Sequence, residues 1–349
     1  MATPTGPERR FLAVGARKGA DWGDALALGA GYGLPTRALA GFNVSRDYIS
    51  ANEADTPLPR TSNLDVIKPV DLTHSVDMLY DPGALGTLIA LLMGTAGAPS
   101  LVETGVHKHT FQLADSAWGK FATIAAEFPG KIWECPSAKP MEWLLKASDR
   151  GFVTSELKLR GNTIIDDSIV NTATQMDALT YADRENRVLF RQNTVKMNAQ
   201  AGGDVSAENA LNVNGIEASI KRTGHDEPRG ANGISILEPA EAGWPDIRLK
   251  LNFPRFDTVS AAFFGSAEDE VYQKAIVMFE GVLAGAAAKY SLKLYLPRLR
   301  MLMPEGGWDE IVKVGVELVA EEASAAPTGM SYTRPYIELV NKQSTDYLA

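Results

Sequence analysis

The stretch "DIRLKLNF", residues 246–253, alternates Ile247, Leu249, Leu251 and Phe253 with Arg248, Lys250 and Asn252. Successive side chains of an extended strand point to opposite faces, so this period of two places four apolar residues on one face and the polar ones on the other. That is the pattern of an antiparallel strand with one buried side. "KYSLKLYLP" (289–297) repeats it, with Tyr290, Leu292, Leu294 and Leu296 against Ser291, Lys293 and Tyr295. "EIVKVGVELV" (310–319) and "RPYIELVN" (334–341) read as further strands. The expected fold class is mainly β.

Two helices are expected against this background. In "YDPGALGTLIALLMG", Asp81 is the expected N-cap and Pro82 the first helical residue. Leu85, Leu88, Ile89 and Leu92 fall on one face, and Gly94 can end the helix in the left-handed conformation. In "GSAEDEVYQKAIVMFEG", Ser266 and Asp269 resemble a capping box, and Tyr272, Ala275, Ile276 and Phe279 repeat the helical spacing before Gly281.

The chain of 349 residues is 45% hydrophobic and 22% charged, which allows a sizeable core and points to two domains. Its net charge is −9, against a general nucleic-acid-binding surface, which needs clustered lysine and arginine. Cys135 is the only cysteine, so no intrachain disulfide forms; a small buried apolar role is expected for it. The N-terminus lacks the apolar region of a signal peptide, and the longest apolar run, "LGTLIALLMG", is too short to span a bilayer. Synthesis in a cytoplasm and no membrane anchor are expected.

The two helical stretches prompt a search for an internal repeat. "RRFLAV" near residue 10 aligns with "NRVLFR" near 188, and "LAGFNVSR" (39–46) with "NVNGIEASIKR" (212–222). Polar loops follow in both, then "DVIKPVDLTHSVDM" against "PDIRLKLNFPRFD", then the expected helices. "KFATIAAEFPG" (120–130) aligns with "KYSLKLYLPR" (289–298), "MEWLLKAS" with "EIVKVGVELV", and "TSELKLRGN" (154–162) with "PYIELVNKQ" (335–343). The order implies a duplication with halves at 1–162 and 186–349, joined by a connector at 163–185. Each half is expected to be a sandwich or half-barrel with one flanking helix, because a single sheet leaves an apolar face bare.

The opening "FLAVGARKGADWGDALALGAGYGLP", with its turn Ala20-Asp21-Trp22-Gly23, resembles the start of the tail tube proteins of long, non-contractile-tailed bacteriophages (siphoviruses). So do the order of hairpin, polar loop, single helix and later strands, and the run "HTFQLADSAWGKFATIAAEF" carrying Thr123 and Ile124. The resemblance rests on order and spacing and includes no catalytic signature. It implies two tandem tail-tube domains and a structural virion protein that is not an enzyme and needs no cofactor. Its subunits would form rings, stacked into a hollow tail tube through which DNA passes during ejection without specific binding. Two domains per chain imply a trimeric ring with pseudo-sixfold symmetry. The implied partners are further copies of the chain, tape-measure protein inside the tube, and tail terminator and baseplate or tip proteins at its ends. The loops near 47–64 and 223–243 are the candidates for ring-to-ring contact, and an acidic lumen would repel phosphate.

"GAGYG" (29–33) has the wrong spacing for a dinucleotide loop and precedes Pro35, so a turn is expected. His225 with Asp226 and Glu227, and the pair Asp166 and Asp167, read as solvated loop and connector residues. "PEGGWDE" (304–310) reads as a hairpin turn. "GVHKHTFQLAD" (105–115) puts His107 and His109 on one face of a strand, where they could meet a metal; a metal-dependent enzyme built there is the alternative from another class. A zinc site wants three or four ligands and only two are visible, so no metal-ligating or catalytic residue is assigned. The stretch has no partner in the repeat, and an added strand or hairpin at a subunit edge is expected. A neck or tail-completion ring is the other alternative.

Overall fold

The structure is a computed structural model that describes residues 13–42, 46–51, 60–67, 69–128, 130–149, 151–206, 209–225, 236–255, 266–302, 305–307 and 313–349. In chain order the elements begin with β1 (Val14–Lys18), β2 (Ala38–Ala40), β3 (Arg46–Ala51), β4 (Arg60–Ile67), β5 (Val70–Asp77) and helix α1 (Ala84–Met93). There follow β6 (Gly94–Ala96), β7 (Ser100–Glu103), β8 (Val106–Leu113), β9 (Ala122–Phe128), β10 (Lys131–Ser148), β11 (Thr154–Gly161) and the short α2 (Ala173–Asp177). The chain continues with β12 (Asn193–Ala199), β13 (Ala210–Leu211), β14 (Gly215–Lys221), β15 (Gly224–His225), β16 (Ala240–Glu241) and β17 (Asp246–Phe253). It ends with β18 (Gln273–Leu283), β19 (Lys289–Met301), β20 (Glu305–Gly307), β21 (Lys313–Ala320) and β22 (Tyr336–Asn341). The fold is mainly β, and every ladder is antiparallel.

β17 buries Ile247, Leu249, Leu251 and Phe253, as its alternation requires. It lies in a long run of paired strands, β2-β5-β11-β10-β14-β17-β21, which continues onto the end of β19 and onto β20. Two strands serve two neighbourhoods. The first part of β10 pairs with β9, and its second part lies between β11 and β14. β19 pairs with β18 along its length, with β22 near its start and with β21 at its end. β1 extends the ladder beyond β9, β12 extends it beyond β18, and β8 extends it beyond β22. The sheet curls round its core like a barrel. Traced pair by pair, however, no ladder among the described residues joins β2 to β20.

One pattern of strands occurs twice. The first ladder runs β1-β9-β10-β11-β5-β2. The second runs β12-β18-β19-β21-β17-β14. Chain order is also the same in both. Ala138 pairs with Ala122 on one side and Gly161 on the other; Leu299 pairs likewise with Gln273 and Ala320. A bulge precedes each junction, so that Cys135 faces Ile124 and Leu296 faces Ala275. His74 stands between Leu39 and Leu157 where Leu251 stands between Ile216 and Val316.

This correspondence corrects the alignment read from sequence. Residues 120–128 match β18, not 289–298, and 154–161 match β21, not 335–343. The stretch expected to form a second helix, 266–281, has helical residues only at 266–268 and then enters β18. Ala275, Val277 and Phe279 are buried and Ile276 and Met278 are half-buried, so the apolar run satisfies period two as well as period 3.6. Its pairing with β12 and β19 decides the outcome.

Helix α1 forms, but starts later than expected. Its N-cap is Gly83 rather than Asp81, and no side chain caps it. Gly94 ends it at φ 87°, donating its N–H to the Ala90 carbonyl, as the sequence predicted. The helix is buried almost all round and packs against β1, β8 and β10. Arg222 reaches its C-terminal end from β14, donating to the carbonyls of Leu92 (2.6 Å), Met93 (3.0 Å) and Ala114 (2.8 Å) and to the carboxylate of Glu241 (2.9 Å). A cation at this place also suits the negative end of the helix dipole.

A single apolar cluster draws on both halves, from Leu72, Leu88 and Trp143 to Leu249, Phe279 and Leu339. The connector 163–185 packs against this body: Met176 and Leu179 join Leu28, Ala125 and Ile132 in a smaller cluster. Ser168 and Asn171 both donate to the buried Glu134 carboxylate, at 2.6 Å each. No helix among the described residues is long and apolar enough to cross a membrane.

Candidate functional surface

The long run of strands turns one face to the core and the other outward. Trp143, Leu145, Ala218, Leu157 and Leu318 point inward. Their strand neighbours Glu142, Lys146, Glu217, Lys158 and Glu317 lie on the opposite, polar face. Here charges are matched across strands. Arg160 meets Asp71, Lys158 meets Glu142 (3.0 Å), and Lys146 meets Glu217 (4.0 Å). Arg248 meets Asp246 (2.9 Å) and Glu317 (2.8 Å), and these carboxylates hold its guanidinium above its already high range, Asp246 foremost. Solvent-exposed pairs of this kind each add little stability. Their effect is on the field: Arg160, Lys158, Lys146 and Arg248 each face a carboxylate rather than standing free for a phosphate backbone. Net charge alone does not give this pairing across strands, which depends on register.

The face ends at two strand edges. β2 pairs only with β5, and β20 only with β21, among the described residues. Unpaired strand edges are templates for further pairing. A second exposed feature lies at one end of the molecule. The Glu103 carboxylate accepts from the backbone N–H groups of Ala286 (2.6 Å), Ala287 (3.0 Å) and Ala288 (2.8 Å), tying the end of β7 to the turn between β18 and β19. Those bonds, the one from Ala288 first, hold its carboxyl below the usual carboxylate range. Leu101, Val102, Val282 and Leu283 are exposed there.

The sequence candidates for chemistry fall in separate places. His107 and His109 do share a face of β8, with Phe111. His109 is buried, with Nε2 2.9 Å from the Gln343 carbonyl and its ring 4.7 Å from that of Tyr347. Burial lowers its pKa. No group of three or more His, Cys, Asp or Glu side chains that could hold a metal occurs among the described residues. β8 lies between β22 on one side and β6 and β7 on the other, and with β7 it forms an added hairpin. It follows α1 and precedes β9, and the second ladder has no counterpart to it.

Cys135 is fully buried, and desolvation pushes its thiol up to about 12, so no thiolate nucleophile is present near neutral pH. Asp166 and Asp167 are exposed, 3.7 and 3.9 Å from Lys131. Gly31 takes φ 86°, consistent with a turn in "GAGYG". In "PEGGWDE", residues 305–307 form β20, while 304 and 308–310 lie outside the described residues. Asp226 and Glu227 also lie outside them, as do 52–59 and 226–235 of the two polar loops. The first loop otherwise forms the β3–β4 hairpin. A groove of about 400 Å³ lies beside Trp244, Asp115 and Arg334. Arg334 is paired there with Glu322 (2.9 Å) and Asp115.

Comparison with protein-family models and with curated proteins finds no match to this chain.

Proposed function

We propose that the chain is a structural, ring-forming protein, a two-domain tail tube subunit of a long, non-contractile-tailed phage, with domains 1–162 and 186–349 joined by 163–185. The observation that carries this reading is the doubled ladder, joined internally through β10 and β14 and ending in two edges that are unpaired among the described residues. A repeating unit already joined to its own duplicate can join further copies by the same contact, and cyclic closure then leaves no edge open. Two ladders per chain support a trimeric, pseudo-sixfold ring. The charge-matched polar face suits a lumen that DNA passes without sticking. Tape-measure protein would lie inside the tube, and terminator and baseplate or tip proteins at its ends. The loops near 47–64 and 223–243 would touch the next ring, and the virion tail would be the final location.

Negative-stain electron microscopy of the purified chain tests this. Hollow tubes with three chains per ring are expected. Single rings that never stack would favour a neck or completion ring, and a chain that stays monomeric at high concentration would overturn the ring altogether. Deleting 226–235, which leaves Glu238 beside Lys139 and Glu241 beside Arg222, should leave folded rings that cannot elongate.

A further inference from the structure

The doubled ladder contains a template for its own continuation. Inside the chain, β10 of the first ladder pairs with β14 of the second: Glu142 faces Lys221, Leu144 faces Ser219, and Lys146 faces Glu217. β14 is the outermost strand of its ladder, beyond β17, just as β2 is the outermost strand of the first ladder, beyond β5. The strand equivalent to the second part of β10 is β20. Lys146 faces Thr154 of β11, and Gly307 holds that place opposite Lys313 of β21. The register between the two strands also steps by one residue at the same point in both ladders. It does so after Pro140 in β10, and between Met301 and Glu305 where β19 gives way to β20.

We propose that β20 of one copy pairs antiparallel with β2 of the next, in the register of the internal β10–β14 junction. This rests on the ring-forming reading and deepens it by naming the two edges and their alignment. Glu217 faces Lys146 and, on its other side, Lys250; Ala40 faces Thr73 at the place equivalent to Lys250. Ala40 therefore corresponds to Glu217, and Gly307 to Lys146, so the junction sets Ala40 of one copy opposite Gly307 of the next. Where the internal junction carries the Lys146–Glu217 pair, the junction between copies carries two small residues. Both edges are unpaired among the described residues, and both belong to the same continuous run of strands. A second copy is thus the occupant whose backbone already fits.

The test is oxidative crosslinking of the full chain carrying Ala40→Cys and Gly307→Cys. Opposed residues in an antiparallel ladder have Cα atoms about 4.5–5.5 Å apart. That lies inside the roughly 4.4–6.8 Å a disulfide spans. The native Cys135 is buried with its thiol pushed up, so it does not compete. No ladder joins the two positions within one chain among the described residues, and a bond inside one chain would leave it at monomer size on a non-reducing gel, which separates that outcome from a bond between copies. Most of the chain should run as covalent oligomers ending at the ring size, released by reductant. Ala38→Cys with Gly307→Cys, a diagonal of about 7–8 Å, should crosslink at least tenfold more slowly. A faster Ala38 pair overturns the register. Rings seen by microscopy but containing no crosslink overturn the choice of edges while the ring reading stands. Absence of rings in the unmodified chain overturns that reading too. Hydrogen exchange on the unmodified chain supplies a check that needs no variant: amides of 38–40 or 305–307 should gain protection in rings relative to monomer, and unchanged exchange at both edges overturns the junction.

Discussion

Pro136 and Pro297 sit at the same step of two different ladders. Each lies inside a bulge, two residues before a position, Ala138 or Leu299, that pairs on both sides. Proline has no N–H to offer a ladder, so a bulge is one of the few places in a sheet that tolerates it. The bulge also increases the local twist and redirects β10 from β9 towards β14. The matched prolines thus mark where each long strand passes from one neighbourhood to the other.

Pro136→Ala and Pro297→Ala should have similar effects. Each introduces an N–H with no ladder partner and frees the unfolded chain, a combined cost of about 1–2 kcal/mol. Urea unfolding measures both. One silent and one severe variant would speak against equivalence of the two steps.

His74 gives the protein a titratable group in a core position. It is fully buried, with Nε2 2.8 Å from the Pro35 carbonyl, and desolvation lowers its pKa to about 4. The unfolded chain takes up a proton near pH 6.5 while the folded chain resists it, so this contribution is complete above about pH 6.5 and is lost as pH falls towards 4. Leu251, in the equivalent place of the second ladder, shows that leucine fits such a site. His74→Leu should therefore lie within about 1 kcal/mol of the parent at pH 7.5, the lost bond to Pro35 set against added apolar burial. At pH 4.5 it should be more stable by about 2–3 kcal/mol. Chemical denaturation at the two pH values decides; equal differences at both would remove the titration argument.

Much of this fold could be read from alternation. "DIRLKLNF" and "KYSLKLYLP" became β17 and β19 with the expected faces buried. The failures have a common cause. Alternating strands resemble one another, so alignment by pattern could slide a whole strand along and pair 120–128 with 289–298. The unbroken apolar run at 275–279 fitted a helix as well as a strand. The prolines at 136 and 297 were the sharper markers, because few sheet positions accept proline. The charge-matched face and the open edges depend on which strands meet, a tertiary fact that no single segment carries.

Arg222 should be among the least replaceable residues. Its side chain is 1% exposed, and it serves three carbonyls and one carboxylate. Arg222→Met takes a donor from each of those carbonyls, of which Met93 keeps the N–H of Ala114, and leaves Glu241 without its cation, an expected loss of about 3–5 kcal/mol. Arg222→Lys keeps the charge but not the forked geometry and should recover only part of this. Thermal unfolding of the two variants checks the order. A methionine variant as stable as the parent would show that α1 needs no partner at its C-terminal end.

The polar face offers a direct test of why DNA would slide past it. On it, Lys146 is held by Glu217 of the neighbouring strand, and Arg248 by Asp246 of its own strand and Glu317 of β21. If that pairing keeps the face inert, reversing Glu156, Glu217 and Glu317 together to lysine should expose a cationic stripe. The triple variant should then bind duplex DNA at 50 mM salt and release it steeply by 200 mM, because each phosphate neutralised frees condensed counterions. The parent chain should show no binding under either condition. Fluorescence anisotropy with a labelled duplex reads both. DNA binding by the parent as tight as by the variant would mean that matched charges do not silence this face.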